Sequence, residues 1–281
     1  MTDLAGREEV EILADKDPGV GLPGRVYLPG YSRTMGPQSH LFAERERLQS
    51  LTWEHFDVKQ LSPTIGAELV GVDLAQELPD EVVSEIQQAL WDYKVIFFRN
   101  QEITSEQQIR FAQRFGELEI HPFLPPNTET PELVRFEKNA NAAGYENQWH
   151  HDVTWRETPS QGAILRAIEI PPIGGDTLFV DANAAYEGLT QERKDEIDSL
   201  NAVHDFLRAF GRQVPKEKLA EMREMYPLVK HPVVINHHQT GKPLLYVNRI
   251  FVNGIEGYDE KEGFELIDAL CREFEVLEYS C

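Results

Sequence analysis

In the first part of the chain, apolar side chains recur at helical spacing in two stretches. Pro79 opens the first stretch and Thr104 opens the second, where Thr104 and Gln107 have the spacing of a capping box. Short apolar runs at residues 67–74 and 95–98 flank the first stretch and predict strands. The pattern therefore predicts alternating strands and helices here, and we assign their apolar faces to the core.

From residue 133 onward the pattern changes to short apolar runs separated by glycine, proline and polar turn residues. Many short strands with such turns are typical of a β-sandwich or jelly roll. The predicted strands are residues 134–136, 163–170, 177–180, 202–206, 229–235 and 244–252.

Helical patterns interrupt this β-rich region, and Asp181 is placed to cap the first of them. No repeat or long linker divides the region, so we predict one domain over residues 53–281 that is mainly β with flanking helices. Residues 1–52, which are acidic and then rich in glycine and proline, are predicted to be a partly irregular extension. The predicted helices are residues 181–189, 192–200, 216–225 and 261–274.

Composition excludes several classes of function. Lysine and arginine total 27 against 48 aspartate and glutamate, a net charge of −21, which argues against nucleic-acid and anionic membrane partners. Two cysteines cannot build a disulfide framework, and we find no signal peptide and no membrane-length apolar run. A cytoplasmic protein is expected, and its exposed helices are compatible with a homo-oligomer. Gly19, Gly21 and Gly24 match a dinucleotide fingerprint, but no strand precedes them and Pro23 interrupts them, so we reject that site.

The candidate chemistry lies in the sequence Gln-Trp-His-His-Asp-Val-Thr-Trp at residues 148–155. On an extended segment, His150 and Asp152 point to the same side and His151 points to the other. Two ligands from one side suit a metal that keeps open coordination positions, as in sites built from two histidines and one carboxylate. The spacing alone also fits a turn histidine bonded to a neighbouring carboxylate, which is the more common arrangement.

The motif is followed by Gly-Ala-Ile-Leu at residue 162, Gly-Gly-Asp-Thr-Leu at residue 174 and Ala-Ala-Tyr-x-x-Leu at residue 184. This order and spacing resembles the taurine dioxygenase (TauD/TfdA) family of Fe(II)- and 2-oxoglutarate-dependent oxygenases, with similarity over about residues 57–277. The resemblance implies a double-stranded β-helix, or jelly roll, with iron held by His150, Asp152 and a second histidine from a late strand. The open positions would take 2-oxoglutarate and dioxygen, and these cofactors would carry the chemistry.

The resemblance also implies roles for five further residues. Thr177 would help to bind 2-oxoglutarate, although threonine on a strand is usually only a β-former. His121 would contact the anionic group of the substrate, with an ordinary loop histidine as the alternative. Val153, Trp155 and Phe210 would line the substrate pocket, as apolar residues do in most small-molecule sites. No catalytic residue is assigned beyond the metal ligands.

Three positions depart from members that act on taurine: Leu124 replaces a tyrosine, Glu146 an asparagine and Ala209 a serine. The loss of two hydroxyls and the gain of a carboxylate would weaken a site for a sulfonate and a nearby amine. We therefore expect hydroxylation of a larger or more apolar organic acid, an alkyl sulfonate, alkyl sulfate or carboxylic acid, with release of succinate and CO2.

Family members continue with a Trp-Asp-Asn-Arg segment, the third iron ligand and an arginine for 2-oxoglutarate, and this sequence reaches Cys281 before any of them. We therefore expect a jelly roll that is incomplete at its C-terminus, from a truncated but active enzyme. The alternatives are a β-helix remnant that binds a metal or small acid without turnover, and a zinc hydrolase lacking an identifiable third ligand. Four remaining histidines are not expected to be ligands: His204, His231, His237 and His238.

Overall fold

A computed structural model describes residues 38–121, 129–137, 148–211 and 214–281, together with the backbone of the short strands β1 and β2. The elements of the first part are β1 (Val26–Tyr27), β2 (Thr34–Met35), α1 (Leu41–Gln49), β3 (Asp57–Gln60), β4 (Ala67–Val70), α2 (Asp80–Tyr93), β5 (Ile96–Phe97) and α3 (Ser105–Ala112). The elements of the second part are α4 (Ala182–Glu187), α5 (Gln191–Ile197), β6 (Asn201–His204), α6 (Phe206–Phe210), a 3₁₀ turn (Lys216–Lys218), α7 (Leu219–Met225), β7 (Val229–Pro232), β8 (Val234–Asn236), β9 (Pro243–Leu245), β10 (Val252–Ile255), α8 (Glu260–Glu273) and a second 3₁₀ turn (Leu277–Tyr279).

The first core lies beneath a three-stranded sheet of order β3-β4-β5. Strands β3 and β4 pair antiparallel, and β4 pairs parallel with β5, since α2 carries the chain back across the sheet. The predicted capping box at the start of α3 is confirmed, with Thr104 and Gln107 exchanging backbone and side-chain hydrogen bonds. The buried members of this core are Leu48, Phe56, Ala67, Leu69, Val72, Leu74, Ile86, Ala89, Tyr93 and Phe111.

The second core lies between a sheet of order β10-β6-β7, the hairpin β8-β9 and helix α8. Helix α8 packs on β10, and α4 packs on β9. Asp181 caps α4 as predicted, because its Oδ1 accepts from the backbone N–H groups of Asn183 and Ala184. None of the helices in the described part of the chain has the length and apolar run that a bilayer crossing needs.

Two strand predictions are wrong, and a third is confirmed only as one isolated bridge. Residues 134–136 and 163–170 are irregular. Within residues 177–180, Val180 forms a bridge with Ser280, and Phe179 exchanges two backbone hydrogen bonds with Cys281. Leu165, Ile168 and Ile170 are 68%, 77% and 73% exposed. An apolar run marks a segment suited to a strand, but a strand also needs a partner backbone. The described residues supply no such partner for residues 134–136 and 163–170. Helices accordingly account for more of the described residues than strands do, and these residues alone do not close a jelly roll.

Helix α1 lies within the segment predicted to be an extension, and Glu44 ties it to the remainder of the molecule. The Glu44 carboxylate accepts from Arg47 at 2.9 and 3.0 Å, from Lys242 Nζ at 2.6 Å and from Lys94 Nζ at 3.4 Å. Burial favours the neutral acid, but the hydrogen bonds from Arg47 and Lys242 and the charge of Lys94 outweigh it and lower the pKa of Glu44 to about 2.

This network predicts a specific dependence of stability on acid. The folded pKa of Glu44 is depressed, so its stabilisation is present above its ordinary pKa of 4.5 and is lost as the pH falls towards 2. We expect Glu44→Gln to reduce the free energy of unfolding by on the order of 3 kcal/mol at pH 7, and the difference from wild type to shrink below pH 4.5.

Urea unfolding at pH 7, 4 and 3 measures this difference. The matched control is Glu46→Gln, which changes an exposed carboxylate of the same helix. We expect this variant to change the free energy of unfolding by less than about 0.5 kcal/mol at every pH. A Glu44→Gln effect that is the same at pH 7 and pH 3 would contradict the ionic interpretation.

Candidate metal centre

The metal motif, His150 and Asp152, lies where an irregular segment enters a turn. The prediction of an extended segment is wrong, because residues 149–151 are irregular and residues 152–155 form a turn. A hydrogen bond from the Arg156 N–H to the Val153 carbonyl, 3.0 Å long, closes this turn. We call residues 152–156 the post-motif turn. Val153 has φ +54°, a conformation that β-branched residues rarely adopt.

The two side chains of the metal motif converge despite this irregular backbone. His150 Nε2 lies 3.3 Å from Asp152 Oδ1. Two ligands about 2.1 Å from one metal ion and at a right angle to each other lie about 3 Å apart. The separation therefore fits two neighbouring ligands of a single ion.

Hydrogen bonding fixes which nitrogen of His150 faces Asp152. The Nδ1 atom lies 2.7 Å from the carbonyl oxygen of Gln148, which can only accept, so Nδ1 carries the hydrogen. Nε2 and an ionised Asp152 then meet as two electron-rich atoms, a contact that requires a cation, either a proton or a metal ion. A histidine whose second nitrogen donates to a backbone carbonyl is the usual arrangement of a metal ligand.

The electrostatics of the motif keep its carboxylate ionised. When His150 Nε2 is protonated as well, its hydrogen bond lowers the pKa of Asp152; burial opposes this, and the charges of His150, His151 and His121 lower it further. An ionised carboxylate is the form that binds a metal ion.

His121 and Phe210 lie beside the metal motif. Their rings are 6.1 Å apart in an edge-to-face arrangement. Burial lowers the pKa of His121, the nearby carboxylates of Glu119 and Asp152 oppose this effect, and Arg156 adds to it. The structure thus brings the two predicted substrate contacts together, with His121 close enough to Asp152 for their charges to interact, while their roles stay predictions.

Val153 and Trp155 are buried in an apolar cluster that continues from Phe210. Trp155 is 1% exposed and packs edge to face on Tyr226, with ring centroids 5.0 Å apart. These two residues therefore lie behind the surface of the site, and their role in lining a pocket stays a prediction. The cluster consists of Val153, Trp155, Phe206 and Phe251, with Leu207, Ala209, Phe210, Val214, Met222, Tyr226 and Ile250 packed against them.

Thr177 is not brought to the motif by any contact among the described residues. It is exposed and is itself irregular, so its role with 2-oxoglutarate stays a prediction. Among the departures from taurine-acting members, Leu124 and Glu146 lie outside the described residues, whereas Ala209 packs against the buried cluster.

His204, His231, His237 and His238 make other contacts, and the expectation that they are not ligands stays a prediction. In the described part of the chain, no three or more histidine, cysteine, aspartate or glutamate side chains converge as a metal site. His237 and His238 stack on each other, with ring centroids 5.4 Å apart. His204 is fully buried, and burial lowers its pKa to about 3, so its ring is neutral; His231 bonds to backbone carbonyls.

Sequence reasoning missed the contacts that join the metal motif to the loop carrying His121. Glu119 forms an ion pair with Arg156 at 2.8 Å and accepts from Ser160 Oγ at 2.7 Å. His151, which was assigned no role, has its Nε2 3.1 Å from the Ser160 carbonyl. A charged pair separated by 37 positions has no local sequence signal, so only the folded structure shows this connection.

Comparison with known proteins agrees with the family resemblance found in the sequence. A family model described as "Taurine catabolism dioxygenase TauD, TfdA family" matches residues 57–281. An alkylsulfatase of Acinetobacter baylyi is 32% identical over 77% of this chain and 70% of its own length. An alpha-ketoglutarate-dependent sulfate ester dioxygenase of Pseudomonas putida is 34% identical over 76% of this chain and 73% of its own length.

The fold agrees with a solved structure as well. The crystal structure of a taurine dioxygenase from Burkholderia xenovorans superposes with a TM-score of 0.69 and 33% identity, covering 81% of this chain and 75% of the other. Since the family model spans most of the chain and relatives above 30% identity cover three quarters of it, the chain belongs to the TauD/TfdA family of 2-oxoglutarate-dependent dioxygenases.

Proposed function

We propose that this protein hydroxylates an alkyl sulfate, an alkyl sulfonate or a related apolar carboxylic acid, with His150 and Asp152 as two of its iron ligands. The proposal rests on one observation: His150 Nε2 and Asp152 Oδ1 lie 3.3 Å apart, with Nδ1 fixed by the Gln148 carbonyl. Family membership supplies the class of enzyme and its cofactors, Fe(II) and 2-oxoglutarate. The proposed scaffold is the jelly roll of that family.

When bound, Fe(II) and 2-oxoglutarate supply the oxidising power that breaks an unactivated C–H bond, with succinate and CO2 as products. The residues of this chain hold the metal ion and orient the cosubstrate and the substrate around it. Asp152 brings negative charge to the metal, and the Gln148 carbonyl fixes the ring of His150. His121, in the proposal, donates to the anionic group of the substrate, and Thr177 donates to a carboxylate of 2-oxoglutarate.

The substrate class follows from what surrounds His121 and Phe210. Phe210 continues into the apolar cluster of Val153 and Phe251, and Ala209 presents a methyl group where taurine-acting members have a hydroxyl. Such apolar surroundings favour an apolar chain over a charged amine. The name of the relative from Pseudomonas putida, a sulfate ester dioxygenase, is consistent with this choice.

We therefore expect kcat/KM for a hexyl or octyl sulfate to exceed that for taurine by at least about tenfold, since each buried methylene contributes about 0.8 kcal/mol. Succinate release by the complete gene product with Fe(II) and 2-oxoglutarate, over a panel of sulfates, sulfonates and phenoxy acids, measures this preference.

The matched variant is Ala209→Ser, which restores the hydroxyl that taurine-acting members have at this position. It should lower the ratio of kcat/KM for octyl sulfate to kcat/KM for taurine. Near-equal turnover of taurine and octyl sulfate would refute the substrate class. An absence of succinate release with every acid would favour the alternative of a remnant that binds without turnover.

A further inference from the structure

We infer that His231 is a positioning residue for the metal ligands, because its ring holds the post-motif turn in place; the inference rests on the proposed function. His231 Nε2 lies 2.9 Å from the carbonyl oxygen of Thr154 and 2.9 Å from that of Arg156. Both carbonyls can only accept, so Nε2 carries a hydrogen that the two oxygens share. One imidazole N–H thus binds the post-motif turn at two points.

The backbone of the turn needs such support. Val153, directly after Asp152, has φ +54°, and a β-branched residue keeps this conformation only where the surrounding structure fixes it. Within the turn, the bond from Arg156 N–H to the Val153 carbonyl closes the loop. His231 adds an attachment from outside, since it belongs to a different part of the chain.

The strand that carries His231 is itself fixed. β7 pairs with β6, with His231 opposite Ala202, and β6 pairs on its other side with β10. This central sheet gives His231 a rigid base, and rigid elements locate a site more exactly than loops do.

A second group on the same sheet holds the Thr154 side chain. His204 Nδ1 lies 2.9 Å from Thr154 Oγ1, and Asn248 Nδ2 donates to the same oxygen at 3.5 Å. Thr154 is 1% exposed, and the rings of His204 and His231 lie 5.0 Å apart and nearly perpendicular. His231 and His204 of the sheet therefore bind both the carbonyl and the hydroxyl of Thr154. Because Asp152 lies only two residues before Thr154, these contacts also restrict the position of Asp152.

The test compares His231→Leu, which removes the donor and keeps an apolar side chain, with His231→Gln, which keeps a side-chain N–H donor. Mn(II), which accepts nitrogen and oxygen ligands, is titrated into the complete, metal-free gene product and followed by electron paramagnetic resonance. We expect His231→Leu to weaken Mn(II) binding 10- to 100-fold, the usual effect of losing a residue that supports a ligand. We expect His231→Gln to recover most of this loss.

Two further measurements separate positioning from general stability. Ile267→Ala, a buried residue of the second core, removes packing without touching the turn and should lower the unfolding midpoint while leaving Mn(II) affinity unchanged. Amide hydrogen exchange over residues 148–158 in the metal-free protein should be faster in His231→Leu than in wild type or Ile267→Ala.

Wild-type Mn(II) affinity and exchange in His231→Leu would overturn the inference, as would equal losses of affinity in His231→Leu and Ile267→Ala. If wild type itself does not bind Mn(II), the proposed function fails, and the exchange experiment still decides whether His231 holds the turn.

Discussion

Asp152→Asn is expected to reduce succinate release by more than about 100-fold, beyond the range of changes that only disturb the support of a metal ligand. The amide is nearly isosteric with the carboxylate, so the fold is retained, but it lacks the negative charge that Asp152 directs at His150 Nε2 across 3.3 Å. A neutral amide oxygen is a much weaker ligand for a divalent cation, because the ionised form of a ligand is the one that binds. The loss should appear in kcat and should not be recovered by saturating substrate.

The matched control for this substitution is Glu157→Gln, which neutralises an exposed carboxylate five positions away and should leave turnover within about twofold of wild type. Both variants should unfold at the same urea concentration as wild type. One result would show that Asp152 is not a ligand: turnover in Asp152→Asn above a tenth of wild type at the same Fe(II) concentration.

The sequence predicted the pairing of His150 with Asp152 but not the backbone that produces it. Period-two alternation assumes an extended chain, whereas the chain turns at Asp152 and Val153 takes a left-handed conformation. The two side chains converge because the turn is held by His231, a residue 79 positions later. Contacts at such separation leave no periodic signal, and so the motif could be identified while its support could not.

The same distinction explains which parts of the fold were predicted correctly. Helices α2 and α3 begin directly after Pro79 and Thr104 as predicted, and α4 and α8 form close to their predicted bounds. Spacing of 3.6 residues and caps such as Thr104 and Asp181 are local properties. Strands need a partner from elsewhere in the chain, and apolar residues 163–170 remain unpaired among the described residues. Helix α1 was missed because much of its support is ionic; Leu41 and Leu48, two turns apart and both buried, were the available signal.

The second large effect is expected from Lys94→Met, which should lower the free energy of unfolding by about 3–5 kcal/mol, the usual result of removing one partner of a buried ion pair. Lys94 follows the last turn of α2 with φ +67°, and its Nζ lies 3.1 Å from Asp181 Oδ2 and 2.6 Å from the Thr64 carbonyl. Asp181 is 1% exposed and caps α4. Methionine keeps the length of the side chain but leaves the carboxylate of Asp181 without the charge that faces it.

Urea unfolding followed by circular dichroism measures the loss, and Lys59→Met is the control. Lys59 is largely exposed and lies 3.9 Å from Glu68, so its removal should cost less than about 1 kcal/mol. If the uncompensated charge is the cause, the double variant Lys94→Met with Asp181→Asn should be more stable than Lys94→Met alone, because the buried charge is then absent. If the free energy of unfolding of the double variant falls by the sum of the losses in the two single variants, the two residues stabilise the protein independently.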